Sequence, residues 1–129
     1  MKPQILLLLA AFAGATPAAS LFAPTATPTT VTAPDTSAVE LGVKFSASTA
    51  GTVTAIRWYK GPNNTGTHVG NLWTDAGVPL ASVTFANETA SGWQEAPLAS
   101  PVAIAANATY VVSYHAPNGN YSADNDFFA

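Results

Sequence analysis

The chain has no cysteine and few charged residues, and both shortages exclude classes of protein chemistry. Among 129 residues there are four Lys plus Arg and seven Asp plus Glu, which give a formal net charge of −3. The absence of cysteine excludes a disulfide scaffold, a thiolate zinc site, an iron–sulfur cluster and a cysteine nucleophile. With so few basic residues the chain has no electrostatic footprint for phosphate backbones, so we expect no nucleic-acid partner. Its length suits one small domain.

Long hydrophobic runs are also lacking, apart from one at the N-terminus that is too short to span a bilayer. Ile5–Ala15, ILLLLAAFAGA, has the length of a signal-peptide core and follows a single lysine. Residues 18–20, AAS, fit the small-x-small cleavage pattern, as do residues 13–15, AGA. We predict a signal peptide over residues 1–20, cleavage before Leu21, and a secreted, extracellular protein without a membrane span.

No window shows helical periodicity, whereas signals for extended structure recur along the chain. Residues 21–36 are rich in threonine and proline and predict an extended N-terminal arm. Farther on, Val39–Phe45 alternates apolar residues with Glu40 and Lys44. This alternation predicts a strand with one buried face.

Short runs rich in Val, Ile, Thr, Tyr and Trp, separated by Gly, Pro, Asn and Asp clusters, predict about seven strands. Their spacing is typical of an all-β fold, an antiparallel β-sandwich with a jelly-roll-like arrangement or, alternatively, an Ig-like topology. We place this single domain at residues 37–129. The predicted strands are Val39–Phe45, Thr52–Tyr59, Val69–Thr74, Pro79–Asn87, Trp93–Leu98, Val102–Ala105 and Thr109–His115.

Five segments in the same order resemble a secreted domain of bacteria and fungi, the family named domain of unknown function 4082. The resemblance covers most of the chain after the leader and implies a secreted β-sandwich, met as a module of larger extracellular proteins, with no established activity. The segments are ELGVKF at Glu40–Phe45, GTVTAIRWYKG at Gly51–Gly61, NTGTHVGNLW at Asn64–Trp73, ETASGWQ at Glu88–Gln94 and TYVVSYHAPNGNYSADN at Thr109–Asn125.

The chain departs from the family pattern in two places. It has Asn120 where many members carry a second histidine. It also stops at residues 126–129, where family members continue to a closing strand. The resemblance therefore implies either a truncated product or a strand supplied by another chain at an open sheet edge.

Catalysis is the hypothesis that the residues support least. The sequence has no Gly-x-Ser-x-Gly elbow around a serine nucleophile. Glu40, Glu88 and Glu95 are the glutamates available for a glycosidase pair, but nothing in the sequence brings two of them together.

Two metal sites are conceivable, and for each the plainer interpretation is polar loop residues that bind no metal. The imidazoles of His68 and His115 lie near strand ends, where together with a carboxylate of Asp124 or Asp126 they would suit Zn or Cu. Alternating side-chain oxygens near the C-terminus would suit a structural Ca²⁺, the one cofactor that the sequence suggests. The calcium ligands would be Asn118, Asn120, Asp124 and Asp126.

Aromatic residues are the better indication of a binding role. Flat rings offer apolar faces for sugars, while Asn, Asp and His bond the hydroxyl groups. Along the strand that contains Trp58 and Tyr59, the two rings point to opposite faces, so one is exposed unless both faces are covered. The residues that we predict for a carbohydrate site are Trp73, His115, Asn118 and Tyr121, together with His68 and its loop from Asn63.

Four sequons mark N-glycosylation acceptors if the host is eukaryotic, at Asn63, Asn87, Asn107 and Asn120. A glycan on Asn120 would cover the predicted sugar site.

The sequence thus predicts a secreted, non-catalytic module that recognises extracellular carbohydrate or cell-wall polymer. The alternative is a structural or adhesive module that acts through protein–protein contacts, self-association or strand pairing at an open edge. A metal-dependent, polysaccharide-acting enzyme comes third.

Overall fold

The computed structural model describes residues 4–5, 8–13 and 19–125, and these residues form strands joined by turns. Within those ranges there is no helix, and hence none with the length and hydropathy of a membrane span. The strands are β1 Gln4–Ile5, β2 Leu8–Ala13, β3 Val39–Ser46, β4 Gly51–Lys60, β5 Val69–Thr74, β6 Pro79–Thr84, β7 Gly92–Ile104, β8 Thr109–Ala116 and β9 Asp124–Asn125.

The strands pair into antiparallel sheets. The larger sheet has the order β3-β8-β5-β6 and the second has the order β2-β4-β7, while β1 and β9 form a two-stranded ribbon. Apolar side chains from the two larger sheets fill one common core. The prediction of an all-β, antiparallel β-sandwich is confirmed.

Strand β3 shows how the sequence pattern produces this architecture. Val43 and Phe45 are buried, whereas Glu40 and Lys44 are exposed. Successive side chains of a strand point to opposite faces, so the alternation buries one face and exposes the other. The prediction of a half-buried strand at Val39–Phe45 is confirmed.

Strand β4 is covered on both faces. The ring of Trp58 stacks on the ring of Tyr114 in the core, with centroids 4.3 Å apart. Tyr59 points the other way and packs edge-on against Trp93 at 5.5 Å, beside Phe22 of the N-terminal arm. The opposite orientation of Trp58 and Tyr59 follows from strand geometry, and the arm is what covers the second face.

Strand β7 is longer than the sequence indicates. The sequence predicts separate strands at Trp93–Leu98 and Val102–Ala105, but the structure has one strand over Gly92–Ile104, so that prediction is wrong. The register between β7 and β4 shifts between Val53 and Ala55. At this irregularity β7 has more residues than β4 between two successive pairs, Val53 with Val102 and Ala55 with Pro97. The extra residues of β7 stay unpaired there, so the strand continues past its prolines without a break in the sheet.

The arm, residues 21–36, packs on the sandwich rather than extending away from it. Phe22 and Ala33 are buried, and Thr30 forms an isolated antiparallel bridge with Ala123. The backbone of the arm also approaches Gly61 so closely that a Cβ there would collide with a carbonyl oxygen. The arm therefore contributes to the core of the domain.

Part of the predicted signal peptide is described, because Leu8–Ala13 pairs with β4 as strand β2. Residues 1–3, 6–7 and 14–18 of that segment lie outside the described residues. Residues 126–129 do so as well, and with them the predicted metal ligand Asp126 and the segment on which the truncation prediction rests.

Replacing Phe22 with alanine is expected to lower the free energy of unfolding by about 3 kcal/mol, because a buried aromatic side chain is lost from the contact between arm and sheet. Val31→Ala, at a 40% exposed position of the same arm, is the matched control and should change little. Denaturant unfolding of both variants measures the difference. Equal losses would contradict the docking of the arm.

Candidate functional site

The outer face of the four-stranded sheet gathers polar side chains around a tryptophan. Residues that are directly paired on neighbouring strands share a face of the sheet. On this face, the register pairs Glu40 with His115, Gly42 with Ser113, Ser113 with Asn71, and Val111 with Trp73.

A chain of hydrogen bonds crosses three strands of this face. The amide Nδ2 of Asn71 donates to Glu40 Oε2 at 3.0 Å, and the hydroxyl of Ser113 donates to the same oxygen at 2.6 Å. The indole Nε1 of Trp73 in turn donates to Ser113 Oγ at 2.8 Å. These bonds fix the Glu40 carboxylate and the Trp73 ring relative to each other.

Beside these bonded residues lies a groove of about 310 Å³, which we call the outer-face groove. Its volume is at the lower end of the range for small-molecule sites, about 300–1,000 Å³. Its walls are mostly apolar, with a few polar groups at fixed positions. It is lined by Glu40, Gly42, Trp73, Thr74, Asp75, Gly77, Val111 and Ser113.

Charged groups lie at the two ends of the bonded cluster. Asp75, in the groove wall, forms an exposed ion pair with Lys44, with Nζ and Oδ1 2.8 Å apart. On the other side, His115 Nδ1 lies 3.6 Å from Glu40 Oε1, and the Glu40 side chain is 39% exposed. Glu40 is therefore held in position through Oε2 while its carboxylate remains open to solvent.

The structure brings some of the predicted sugar-binding residues to this face and not others. Trp73 lines the outer-face groove, and His115 lies next to Glu40. Asn118 lies in a separate loop, where its amide donates to Thr65. His68 and Tyr121 are in the interior, with 0% and 6% of their surfaces exposed, so neither forms part of the groove.

Sequence reasoning missed Asn71 and Ser113, and it considered Glu40 only as a catalytic carboxylate. A signal was present, because Asn71 and Ser113 each lie two positions from a predicted site residue, Trp73 and His115 respectively. Residues two apart on a strand share a face. The pairing of β5 with β8 was needed to bring the two sets together.

His68 belongs to a separate, buried polar network. Its Nδ1 lies 2.9 Å from Glu88 Oε2 and its Nε2 lies 2.7 Å from Asn64. Glu88 is held from the other side by Lys60, with Nζ 3.0 Å from Oε1, and Asn64 contacts the hydroxyl of Tyr114 at 3.2 Å. The network joins two loops to the core and leaves no ring nitrogen of His68 free for a ligand.

Burial lowers the pKa of His68 below 6.5, although the hydrogen bond and the negative charge of Glu88 partly oppose this effect. Nδ1 of the ring donates to the carboxylate of Glu88. The amide oxygen of Asn64 faces His68 Nε2, and the amide nitrogen of Asn64 donates to the hydroxyl of Tyr114, whose own pKa is raised by burial. Burial therefore makes the charged form of His68 less favourable in the folded protein than in the unfolded chain.

The stability of the protein should consequently fall in acid. Because the folded state holds the pKa of His68 below the unfolded value of 6.5, only the unfolded chain gains the proton at first, and the free energy of unfolding decreases below about pH 6.5. One such group contributes a slope of at most about 1.4 kcal/mol per pH unit.

Denaturant unfolding between pH 7.5 and pH 5 tests this expectation. The variant His68→Gln should show a shallower loss of stability in acid than the natural chain. The control His115→Gln, on the solvent-facing side of β8, should keep the natural slope. An unchanged slope in His68→Gln would refute the assignment of the acid sensitivity to this residue.

The predicted metal ligands do not form a common centre within the described residues. His68 faces the core, whereas His115 lies on the outer face. Of the predicted calcium ligands, Asn120 donates to the carbonyl of Asn118, and Asp124 is buried and accepts from a backbone amide. Over the described ranges, no three His, Cys, Asp or Glu side chains form a group that could hold a metal ion.

The three glutamates considered for a catalytic pair lie in different environments. Glu40 is in the cluster beside the outer-face groove, and Glu88 is in the His68 network. Glu95 lies in the other sheet and pairs with Arg57 at 3.3 Å. No two of them face each other across a common site.

The sequon asparagines all lie outside the strands. Asn63, Asn87 and Asn107 are exposed, and the last two have left-handed backbone angles, φ 53° and 62°. Asn120 is half-buried, and the hydroxyl of Ser122 in its sequon is buried against the arm.

Comparison with known proteins gives one match. The family model described as Domain of unknown function (DUF4082) matches residues 25–129, which agrees with the resemblance in the strand segments. No curated protein and no solved structure matches the chain. The match begins within the N-terminal arm and includes every residue of the outer-face groove.

Proposed function

This chain belongs to the family described as Domain of unknown function (DUF4082), and we propose that it is a secreted, non-catalytic module that recognises carbohydrate through the outer-face groove. The observation that carries the proposal is the fixed pairing of an aromatic wall with a carboxylate. Trp73 is tied through Ser113 to Glu40, so the ring and the acceptor keep a constant geometry.

This combination suits a sugar because a pyranose has an apolar face and a rim of hydroxyl groups. An aromatic ring packs against the apolar face, while a few fixed polar groups bond the rim and set the orientation. Gly42 supports such a site, because it adds no side chain to the groove wall beside Ser113.

Secretion is supported by the apolar run and the small residues that follow it in the N-terminal segment. Cleavage before Leu21 would leave Leu21 and Phe22 as the first residues of the mature chain. Both side chains pack beside Tyr59 and Trp93, so the mature chain would begin at a residue already docked on the sandwich.

The variant Trp73→Ala is expected to bind soluble polysaccharide at least about tenfold more weakly than the natural chain, because the stacking surface is lost. Trp73→Phe, which keeps a ring but lacks the indole N–H, should lose less. The probes are hydroxyethyl cellulose, laminarin and galactan, and the measurement is the upward shift of thermal unfolding. A ligand at about a hundred times its Kd adds roughly 2.7 kcal/mol of stability.

Leu80→Ala provides the matched control, because Leu80 is a partly exposed apolar residue of the same sheet outside the groove. It should bind as the natural chain does. Binding that survives in Trp73→Ala, or the absence of a stability shift with every polysaccharide of the panel, would overturn the proposal.

A second candidate function is strand pairing at the edge of β4. In the structure this edge is occupied by β2, Leu8–Ala13, in antiparallel register with β4. Cleavage before Leu21 would remove β2 and leave the edge of a deeply buried strand open, which favours the addition of a strand from another chain. The mature protein would then act by self-association.

Comparison of the full chain with a chain beginning at Leu21 tests this second function. The shorter chain should dimerise between about 10 and 200 μM by light scattering, a range in which micromolar affinities are resolved. Amide exchange along β4 should be faster in the monomer than in the dimer, and a peptide of residues 8–13 should compete with dimerisation. A shorter chain that stays monomeric at every concentration excludes this function.

A further inference from the structure

We propose that the outer-face groove selects uncharged, hydroxyl-rich glycans and rejects glycans that carry carboxylate or sulfate groups, with Glu40 as the residue that determines this specificity. The inference rests on the proposed carbohydrate-binding function and adds the chemical class of the ligand. It follows from which hydrogen-bonding groups of the groove are already used and which remain free.

The polar donors of the bonded cluster are largely used within the protein. Asn71 Nδ2 and the Ser113 hydroxyl both donate to Glu40 Oε2, and the only N–H of the Trp73 side chain donates to Ser113 Oγ. The cluster keeps one further N–H on Asn71, and it keeps acceptor capacity on the amide oxygen of Asn71 and on Glu40 Oε1, which lies 3.6 Å from His115 Nδ1. A ligand that brings donors, as sugar hydroxyls do, therefore suits the carboxylate of Glu40.

The charge of the groove points to the same ligand class. Its lining includes the carboxylates of Glu40 and Asp75 and no lysine or arginine. The nearest ammonium group described is that of Lys44, and it is paired with Asp75 at 2.8 Å. The imidazole of His115 is likewise already paired, with its Nδ1 3.6 Å from Glu40 Oε1. An anionic sugar would therefore meet like charge whose neighbouring partners are already engaged, whereas a neutral sugar would not.

Glu40 is the stronger of the two carboxylates for this discrimination. Asp75 is half-exposed and neutralised by Lys44, so its field is weakened by water and by its partner. The other carboxylate, Glu40, is held by hydrogen bonds of 3.0 and 2.6 Å and lines the same groove as the Trp73 ring, so its charge acts on a ligand bound there. Selectivity here arises as much from repulsion of the wrong ligand as from attraction of the right one.

The test uses pairs of polysaccharides that share a backbone and differ in charge: hydroxyethyl cellulose against carboxymethyl cellulose, laminarin against sulfated laminarin, and galactan against sulfated galactan. Affinities are measured with the full chain at pH 8 and low salt. We expect the neutral member of the pair that binds best to bind at least about tenfold more tightly than its anionic counterpart.

The variant Glu40→Gln keeps the size of the side chain and an oxygen for Asn71 and Ser113 but removes the charge, and it should reduce the preference for the neutral member to about threefold or less. Glu95→Gln is the matched control, because it removes the same charge from the other sheet and should leave the preference unchanged. Salt provides a measurement that needs no variant. Raising the salt concentration from about 0.02 to 0.5 M shortens the distance over which charges act. It should therefore reduce the ratio between the affinities of the natural chain for the neutral and the anionic polysaccharide.

The outcomes separate this inference from the function on which it rests. If no polysaccharide of any pair binds, or if Trp73→Ala binds as well as the natural chain, the proposed function fails and the inference with it. If binding depends on Trp73 but the anionic member binds equally or better, the function stands and the selectivity is overturned. A preference that is unaltered in Glu40→Gln and in high salt overturns the role of Glu40.

Discussion

The stacked rings of Trp58 and Tyr114 join the two sheets, and the outer-face groove depends on that contact. Trp58 comes from β4 and Tyr114 from β8, and neither ring has exposed surface. Because side chains alternate along a strand, holding Tyr114 inward places Ser113 and His115 outward. A one-residue slip of β8 would turn the tyrosine to the outer face and turn Ser113 and His115 toward the core, so core packing maintains the register that the groove requires.

The two polar networks of the domain use similar residue types for different purposes, and exposure decides which. In the interior, Glu88 and Asn64 each bond a ring nitrogen of His68, as buried polar groups must be bonded to avoid a large desolvation cost. On the outer face, Glu40 accepts hydrogen bonds at Oε2, while Oε1 lies 3.6 Å from His115 and the side chain stays 39% exposed. Only the second arrangement leaves capacity for a ligand, which is why the candidate site is there.

The sequence predicted the fold class and several strands because these depend on local alternation. The pattern of Val39–Phe45 correctly places Glu40 outward. It could not show that His68 is interior, because a histidine near a predicted strand end looks the same whether it meets solvent or buried partners. Its hydrogen-bonding partners Asn64 and Glu88 lie in two different loops, and only the folded structure brings both of them to His68.

The amino-acid sequence by itself determined the all-β architecture, which side of each strand is buried, and the family. Each of these follows from patterns among residues that are close in the sequence. Tertiary structure alone decided which outward residues meet. The bonded pairs Glu40 with Asn71, Trp73 with Ser113, and Glu40 with Ser113 are 31, 40 and 73 positions apart. Such contacts are set by strand order and register, which follow from burying the whole core at once and cannot be obtained from any local stretch of sequence.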